Sequence, residues 1–158
     1  RPRLGVVARS ADCPLLLVGG RRDDGQRVWG IAHGSWRATV RRVTTGLIGA
    51  MVAGGTNAAS LTVVICPSAG PCCYVVGEEV RREAIARLGP SAADFFLSRE
   101  DGLVFDLWAA NVRQLLDAQV PSARIHPTGL CTICGGPIWP SYRRDGPAAT
   151  RFAAIIGH

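Results

Sequence analysis

Apolar positions in the first third of the chain fall into short runs separated by polar turns. Leu4 to Ala8 and Leu15 to Val18 are rich in branched side chains, and Arg27 to His33 is a third such segment beyond the turn-like stretch Gly19 to Gly25. Short branched runs bounded by Gly and Asp predict strands. Behind the third, Val40, Val43, Leu47, Ile48, Met51 and Val52 recur at helical spacing and stop at Gly54-Gly55. A helix should follow directly on that strand. Leu61 to Ile65 is apolar but for Thr62 and predicts a buried strand.

The second half changes period. Glu78 to Leu88 begins acidic, carries arginines further along and is followed by Gly89, the charge order that suits a helix dipole. Leu107, Trp108, Val112, Leu115 and Leu116 mark another amphipathic helix, with Asp106 placed to cap it. A final strand pair is expected near Ala123 to His126 and Phe152 to Ile156. Alternating strands and helices predict an α+β (mixed α/β) fold, a mixed β-sheet core flanked by helices. With no internal repeat or linker, 158 residues suit one domain spanning 1–158.

Composition narrows the chemistry. The formal charge of +6 rests on arginine alone, because the chain contains no lysine. Schiff-base, pyridoxal-phosphate and P-loop lysine chemistries are therefore excluded. The arginines are scattered through Arg21-Arg22, Arg41-Arg42, Arg81-Arg82 and Arg143-Arg144, a pattern that suits a small anionic substrate and argues against a nucleic-acid partner. No apolar run approaches the ~20 residues that cross a bilayer, and Arg1-Pro2-Arg3-Leu4 lacks the core of a secretion signal. The six cysteines include the neighbours Cys72 and Cys73, awkward anchors for a disulfide framework, so a reducing cytoplasm is expected.

The segment with most chemistry is Ser10-Ala11-Asp12-Cys13-Pro14, followed after one strand and a turn by Ala32-His33-Gly34-Ser35-Trp36-Arg37. If the two intervening strands are neighbours, Cys13 and His33 approach at one end of the sheet. A thiolate and a neutral imidazole are ligands for a zinc-like or copper-like ion, and equally a nucleophile and general-base pair. A lone Cys or His on a strand is more often ordinary packing. Cys131-Thr132-Ile133-Cys134 is a lone C-x-x-C for which the spacing offers no second ligand pair, and Cys72-Cys73 reads as part of a pocket wall.

Ser-Ala-Asp-Cys-Pro at 10–14 and His-Gly-Ser-Trp-Arg at 33–37 resemble the T-A-D-C and H-A-G-W-R motifs of the purine nucleoside phosphorylase, or laccase-domain (YfiH-like), family, once described as polyphenol oxidases. Pro67 to Tyr74 with Val76-Gly77-Glu78-Glu79-Val80 resembles its G-P-C-C-Y-x-V-G-x-E-V stretch. Asp106-Leu107 with Ala110-Asn111 and Gln114-Leu115 is similar to its D-L-x-x-A-N-x-x-Q-L helix. Cys131-Thr132 and Ser141-Tyr142-Arg143-Arg144-Asp145-Gly146 with Arg151 resemble its ending. Gly34-Ser35 stands for the usual Ala-Gly, Thr150-Arg151 for Gly-Arg, and Cys66 for a Gly.

The resemblance implies phosphorolysis of adenosine and inosine, with adenosine deamination in some members, on a bound zinc or copper ion. Cys13 and His33 carry over as two metal ligands, and Asp12 joins them as a catalytic residue that orients His33 or contacts the ribose. Trp36 is expected to stack on the base, Arg37 and Arg144 to hold phosphate, and Thr132 and Ser141 to contact substrate. The family's third ligand is a histidine in a Gln-Val-His-Gly motif upstream of T-A-D-C, and that motif does not occur in the sequence. A longer native chain, another residue or another subunit is expected to complete the set; otherwise the chain is a non-catalytic member. The runner-up is a Cys/His hydrolase or amidase with Cys13 as nucleophile, since the family's fold is similar to that of glutamine-deamidating toxins. Three histidines are too few for a multicopper oxidase.

Overall fold

The computed structural model describes residues 5–157, so Leu4 of the first expected strand lies outside the described residues. The chain opens with β1 (Gly5–Ser10), β2 (Leu15–Arg21) and β3 (Arg27–His33), then α1 (Trp36–Val40), α2 (Val43–Ala53) and β4 (Thr62–Ile65). There follow β5 (Val75–Val76), α3 (Glu78–Leu88), β6 (Phe96–Arg99), β7 (Gly102–Phe105) and α4 (Leu107–Asp117). The described chain ends with β8 (Ile125–Pro127), α5 (Tyr142–Asp145) and β9 (Phe152–Gly157). The mixed α+β class is as the sequence predicts.

The central sheet has the order β3-β2-β4-β8, with β2 antiparallel to both neighbours and β4 parallel to β8. Side chains alternate across β2, as strand geometry requires. Leu16 and Val18 enter the main core with Ile48, Met51, Val63, Ile65 and Leu115. Leu15 faces the other way, packing with Cys66 and Ala154 beneath a ribbon made by β1 and β9. Burial on both faces explains why β2 has no polar alternation, and each fully buried leucine contributes roughly 1.5–3 kcal/mol.

Three local readings change. The helix behind β3 is broken in two, because Arg42 adopts a left-handed φ of 61° between α1 and α2. That break tucks Val40 into a second core with Tyr74, Val80, Phe105 and Leu107, while α2 lies on β3. Gly30 permits that approach: a Cβ there would stand 2.8 Å from Leu47 Cδ1. The two final strands do not pair with each other; β8 joins β4, and β9 returns to β1. A third sheet, β5-β7-β6, lies under α3 and was not expected, since strands this short carry little periodic signal. The stacked rings of Phe96 and Phe105, 4.4 Å apart, tie two of its strands together.

Most polar groups within the core are paired, with Thr56 Oγ1 and Gln114 Oε1 as buried exceptions. Asn111 on α4 accepts from the Thr44 hydroxyl at 2.6 Å and donates to the Leu107 carbonyl and to Thr39 Oγ1. Gln114 donates to the Thr39 carbonyl at 2.8 Å. These bonds splice α4 to α1 and α2, so the Ala-Asn-x-x-Gln-Leu motif has a structural role.

Candidate functional site

The loop leaving β1 is held from three directions. Ser10 Oγ donates to the Cys13 carbonyl at 2.7 Å, and the Asp12 carbonyl accepts from Ala69 N–H at 2.7 Å. The buried Asp12 carboxylate accepts from Thr132 Oγ1 at 2.7 Å and from Arg143 N–H at 2.6 Å. Asp12 has a φ of 80°, a strained conformation that Asp tolerates better than most residues. So fixed, the loop delivers Cys13 to the end of β2. The β2–β3 register sets Leu15 opposite His33, and Gly34 N–H reaches the Pro14 carbonyl at 2.7 Å. Cys13 and His33 accordingly line the same cavity, of about 390 Å³, together with Tyr74 and the arginines Arg9, Arg143 and Arg151. A larger hollow of about 630 Å³ along β2 and β4 contains arginines but no thiol or imidazole.

Electrostatics assign resting states to the pair. Burial, reinforced by the Asp12 carboxylate and opposed by Arg143 and Arg151, pushes the Cys13 thiol up to about 11. Partial burial holds His33 below its ordinary 6.5. Both groups are thus neutral near pH 7, and an imidazole in that state is ready to bind a metal. Sulfur and nitrogen suit zinc or copper in kind, but two donors fall short of the three or four such an ion takes from protein. Asp12 has both oxygens engaged, and no hydrogen bond joins it to His33.

The other expected substrate residues scatter. Trp36 opens α1 and packs against the second core, with the exposed Arg37 guanidinium 4.3 Å above its ring; neither lines the cavity. Thr132 is buried behind Asp12 and acts on it rather than on the cavity. Ser141 is buried and caps α5, accepting from Arg144 N–H at 3.1 Å. The Arg144 guanidinium donates to the carbonyls of Thr132, Ile133 and Trp139 and pairs with Asp145. Its donors are committed to the 132–139 loop, away from the cavity.

A sequence profile described as multi-copper polyphenol oxidoreductase laccase matches residues 1–158. The chain belongs to this family. It is 33% identical over 130 residues to a purine nucleoside phosphorylase YlmD of Geobacillus stearothermophilus, covering 81% of this chain and 47% of that protein. It is 30% identical over 147 residues to an adenosine deaminase RL5 of an unknown prokaryotic organism, covering 90% of this chain and 54% of the other. The crystal structure of the Bacillus licheniformis hypothetical protein YfiH superposes with a TM-score of 0.84 at 29% identity, covering 98% of this chain and 57% of that one. The chain spans about half the length of these family relatives.

Family motifs contain what residue-type reasoning passed over. Tyr74 follows the Cys-Cys pair, and Arg143 and Arg151 sit in the closing motif; all three line the cavity, whereas the neighbouring Arg144 does not. Arg143 donates to the Val75 carbonyl at 2.6 Å and lies 4.8 Å above the Tyr74 ring. Nothing in a Tyr-Arg-Arg string tells which arginine faces inward. A second correction concerns the thiols. Cys72 and Cys73 supply the partner pair that Cys131-x-x-Cys134 lacked: the four sulfurs lie within 4.8 Å of one another, so the cluster has the donors to hold a metal ion. The pairing is invisible in spacing because a parallel bridge between Ser68 and Cys131 brings the two segments together.

Proposed function

We propose that this chain forms the Cys13–His33 part of a metal-dependent purine nucleoside phosphorylase acting on adenosine or inosine, with adenosine deamination as a secondary reaction. The observation that carries this reading is the shared cavity of Cys13 and His33, rimmed by cationic arginines, in a chain whose relatives bear those names. Cys13 and His33 would hold zinc or copper, with the third donor supplied from outside these residues, as the resemblance implies. Bound there, the ion supplies Lewis-acid polarisation. Arg143 and Arg151, rather than Arg144, are the candidates to orient phosphate, because both line the cavity and a guanidinium suits phosphate oxygens. The Tyr74 hydroxyl, pushed up to about 12 chiefly by burial, stays protonated and can donate to substrate. Asp12 is a positioning residue that fixes the backbone of Cys13. The described residues include no helix long and apolar enough to cross a membrane.

A Cys/His hydrolase requires a thiolate, and a half-buried Cys13 beside Asp12 disfavours one. The deciding assay incubates the protein with adenosine or inosine, with and without phosphate and added zinc or copper. Phosphate-dependent release of free purine base is expected. Metal-loaded protein that releases none, or releases it equally without phosphate, refutes the reading.

A further inference from the structure

The structure assigns a second metal centre, separate from the Cys13–His33 cavity: we propose that Cys72, Cys73, Cys131 and Cys134 form a tetrathiolate zinc site that braces the scaffold behind that cavity.

Four sulfurs mutually within 4.8 Å have the number and softness of a structural zinc's donor set. All four are free thiols, and the Sγ atoms of Cys72 and Cys134 are 3.5 Å apart. Four such groups, packed together without a cation, have little to gain from proximity. A dication converts the crowding into coordination, and each thiol releases its proton to solvent on binding.

The turn geometry points the same way by an independent route. Gly135 N–H closes on the Cys131 carbonyl at 2.9 Å, and a Cβ at Gly135 would stand 2.5 Å from that oxygen. Cys131 to Gly135 is therefore a tight knuckle that only glycine completes. Gly70 N–H donates to Cys131 Sγ at 3.3 Å. Cys72 and Cys134 are exposed, which gives the ion a path of entry.

The position gives the centre its role. Cys73 directly precedes Tyr74, which lines the cavity, and Cys131 directly precedes Thr132, which holds Asp12. A zinc ion joining the 72–73 and 131–134 turns would lock both behind the Asp12 loop. The bracing role depends on the cavity's importance; the metal site itself does not.

Metal content tests the site without recourse to activity. Protein purified under reducing conditions and dialysed is analysed for zinc by mass spectrometry, beside Cys134→Ser, Cys72→Ser and Cys13→Ser. The two cluster variants should each lose one zinc per chain relative to the wild type, whereas Cys13→Ser, which can release only an ion of the Cys13–His33 cavity, should keep the thiolate-bound zinc and the cobalt spectrum that reports it. Cobalt exchanged into the wild-type protein should give sulfur-to-metal charge-transfer bands and the intense visible bands of a tetrahedral thiolate site, both absent from Cys134→Ser. A chelator should expose Cys72 and Cys134 to alkylation. Unchanged zinc in both cluster variants, iron in place of zinc, or a Cys72–Cys134 disulfide with no bound metal would each overturn the proposal.

Discussion

Asp12 and Thr132, 120 residues apart in the chain, are joined carboxylate to hydroxyl at 2.7 Å. The second Asp12 oxygen takes the Arg143 N–H at 2.6 Å, so one buried side chain closes three segments around Cys13. Asp12→Ala leaves two donors without an acceptor and puts a residue poorly suited to φ 80° at the bend. The expected destabilisation is roughly 3 kcal/mol or more. Asp12→Asn keeps an oxygen for Arg143 N–H, offers an NH₂ to Thr132 and tolerates the left-handed region, at a cost of about 1 kcal/mol. Denaturant unfolding of both variants measures the difference; equal losses would mean that the cage is not held by hydrogen bonding.

The adjacent arginines separate just as sharply. Arg144 ties down carbonyls at 132, 133 and 139, so Arg144→Met should open that loop and speed its limited proteolysis several-fold, with a lesser effect on phosphate. Arg143 faces the cavity, and Arg143→Met should raise the phosphate KM by on the order of tenfold while leaving proteolysis of the 132–139 loop near the wild-type rate. The reverse pattern would return phosphate binding to Arg144.

Much of this was legible in sequence where periodicity or capping chemistry is strong. The runs in β2, β3 and β4, the acidic start of α3 and the Asp106 cap of α4, which accepts Ala109 N–H at 2.9 Å, all form as their residues predict. What stayed hidden depends on contacts between distant segments. The expectation that β8 pairs with β9 failed because pairing is chosen by whole-sheet topology. The thiol cluster was missed because a Cys-Cys pair and a C-x-x-C almost sixty residues on give no sign that one bridge sets them side by side. In the cavity, residue types suggested Cys13 and His33 and the β2–β3 register puts them together, while the inward arginine could not be told from its neighbour.

Asn111 offers a test of motif against function. Its side chain bonds Thr44, Thr39 and Leu107 inside the helical core, distant in role from the cavity. Asn111→Leu removes these bonds and strands the buried Thr44 hydroxyl, so a loss of about 2–4 kcal/mol in unfolding free energy is expected. Kinetic constants of the fraction that stays folded should be close to wild type. A variant of full stability with impaired turnover would move Asn111 into the reaction.

Cys13 itself distinguishes the metal-ligand reading from the hydrolase reading. Its thiol is pushed up to about 11 from an ordinary 9.0, by burial first and the Asp12 carboxylate second. Raising the pKa of an acid depletes its anion at a given pH, so the thiolate near pH 7 falls by on the order of 100-fold relative to an ordinary cysteine. Because the thiolate is the reacting form, iodoacetamide labelling of Cys13 in metal-free protein, followed by peptide mass spectrometry, should rise with pH and reach half its limiting rate near pH 11. In Asp12→Asn, where the like-charge repulsion is gone, the midpoint should move down towards 9. A Cys/His nucleophile pair behaves in the opposite sense, since an imidazolium partner draws the thiol below its ordinary value and labelling is already fast at neutral pH. A midpoint at or below 9 in the wild-type protein would therefore favour Cys13 as a nucleophile activated by His33.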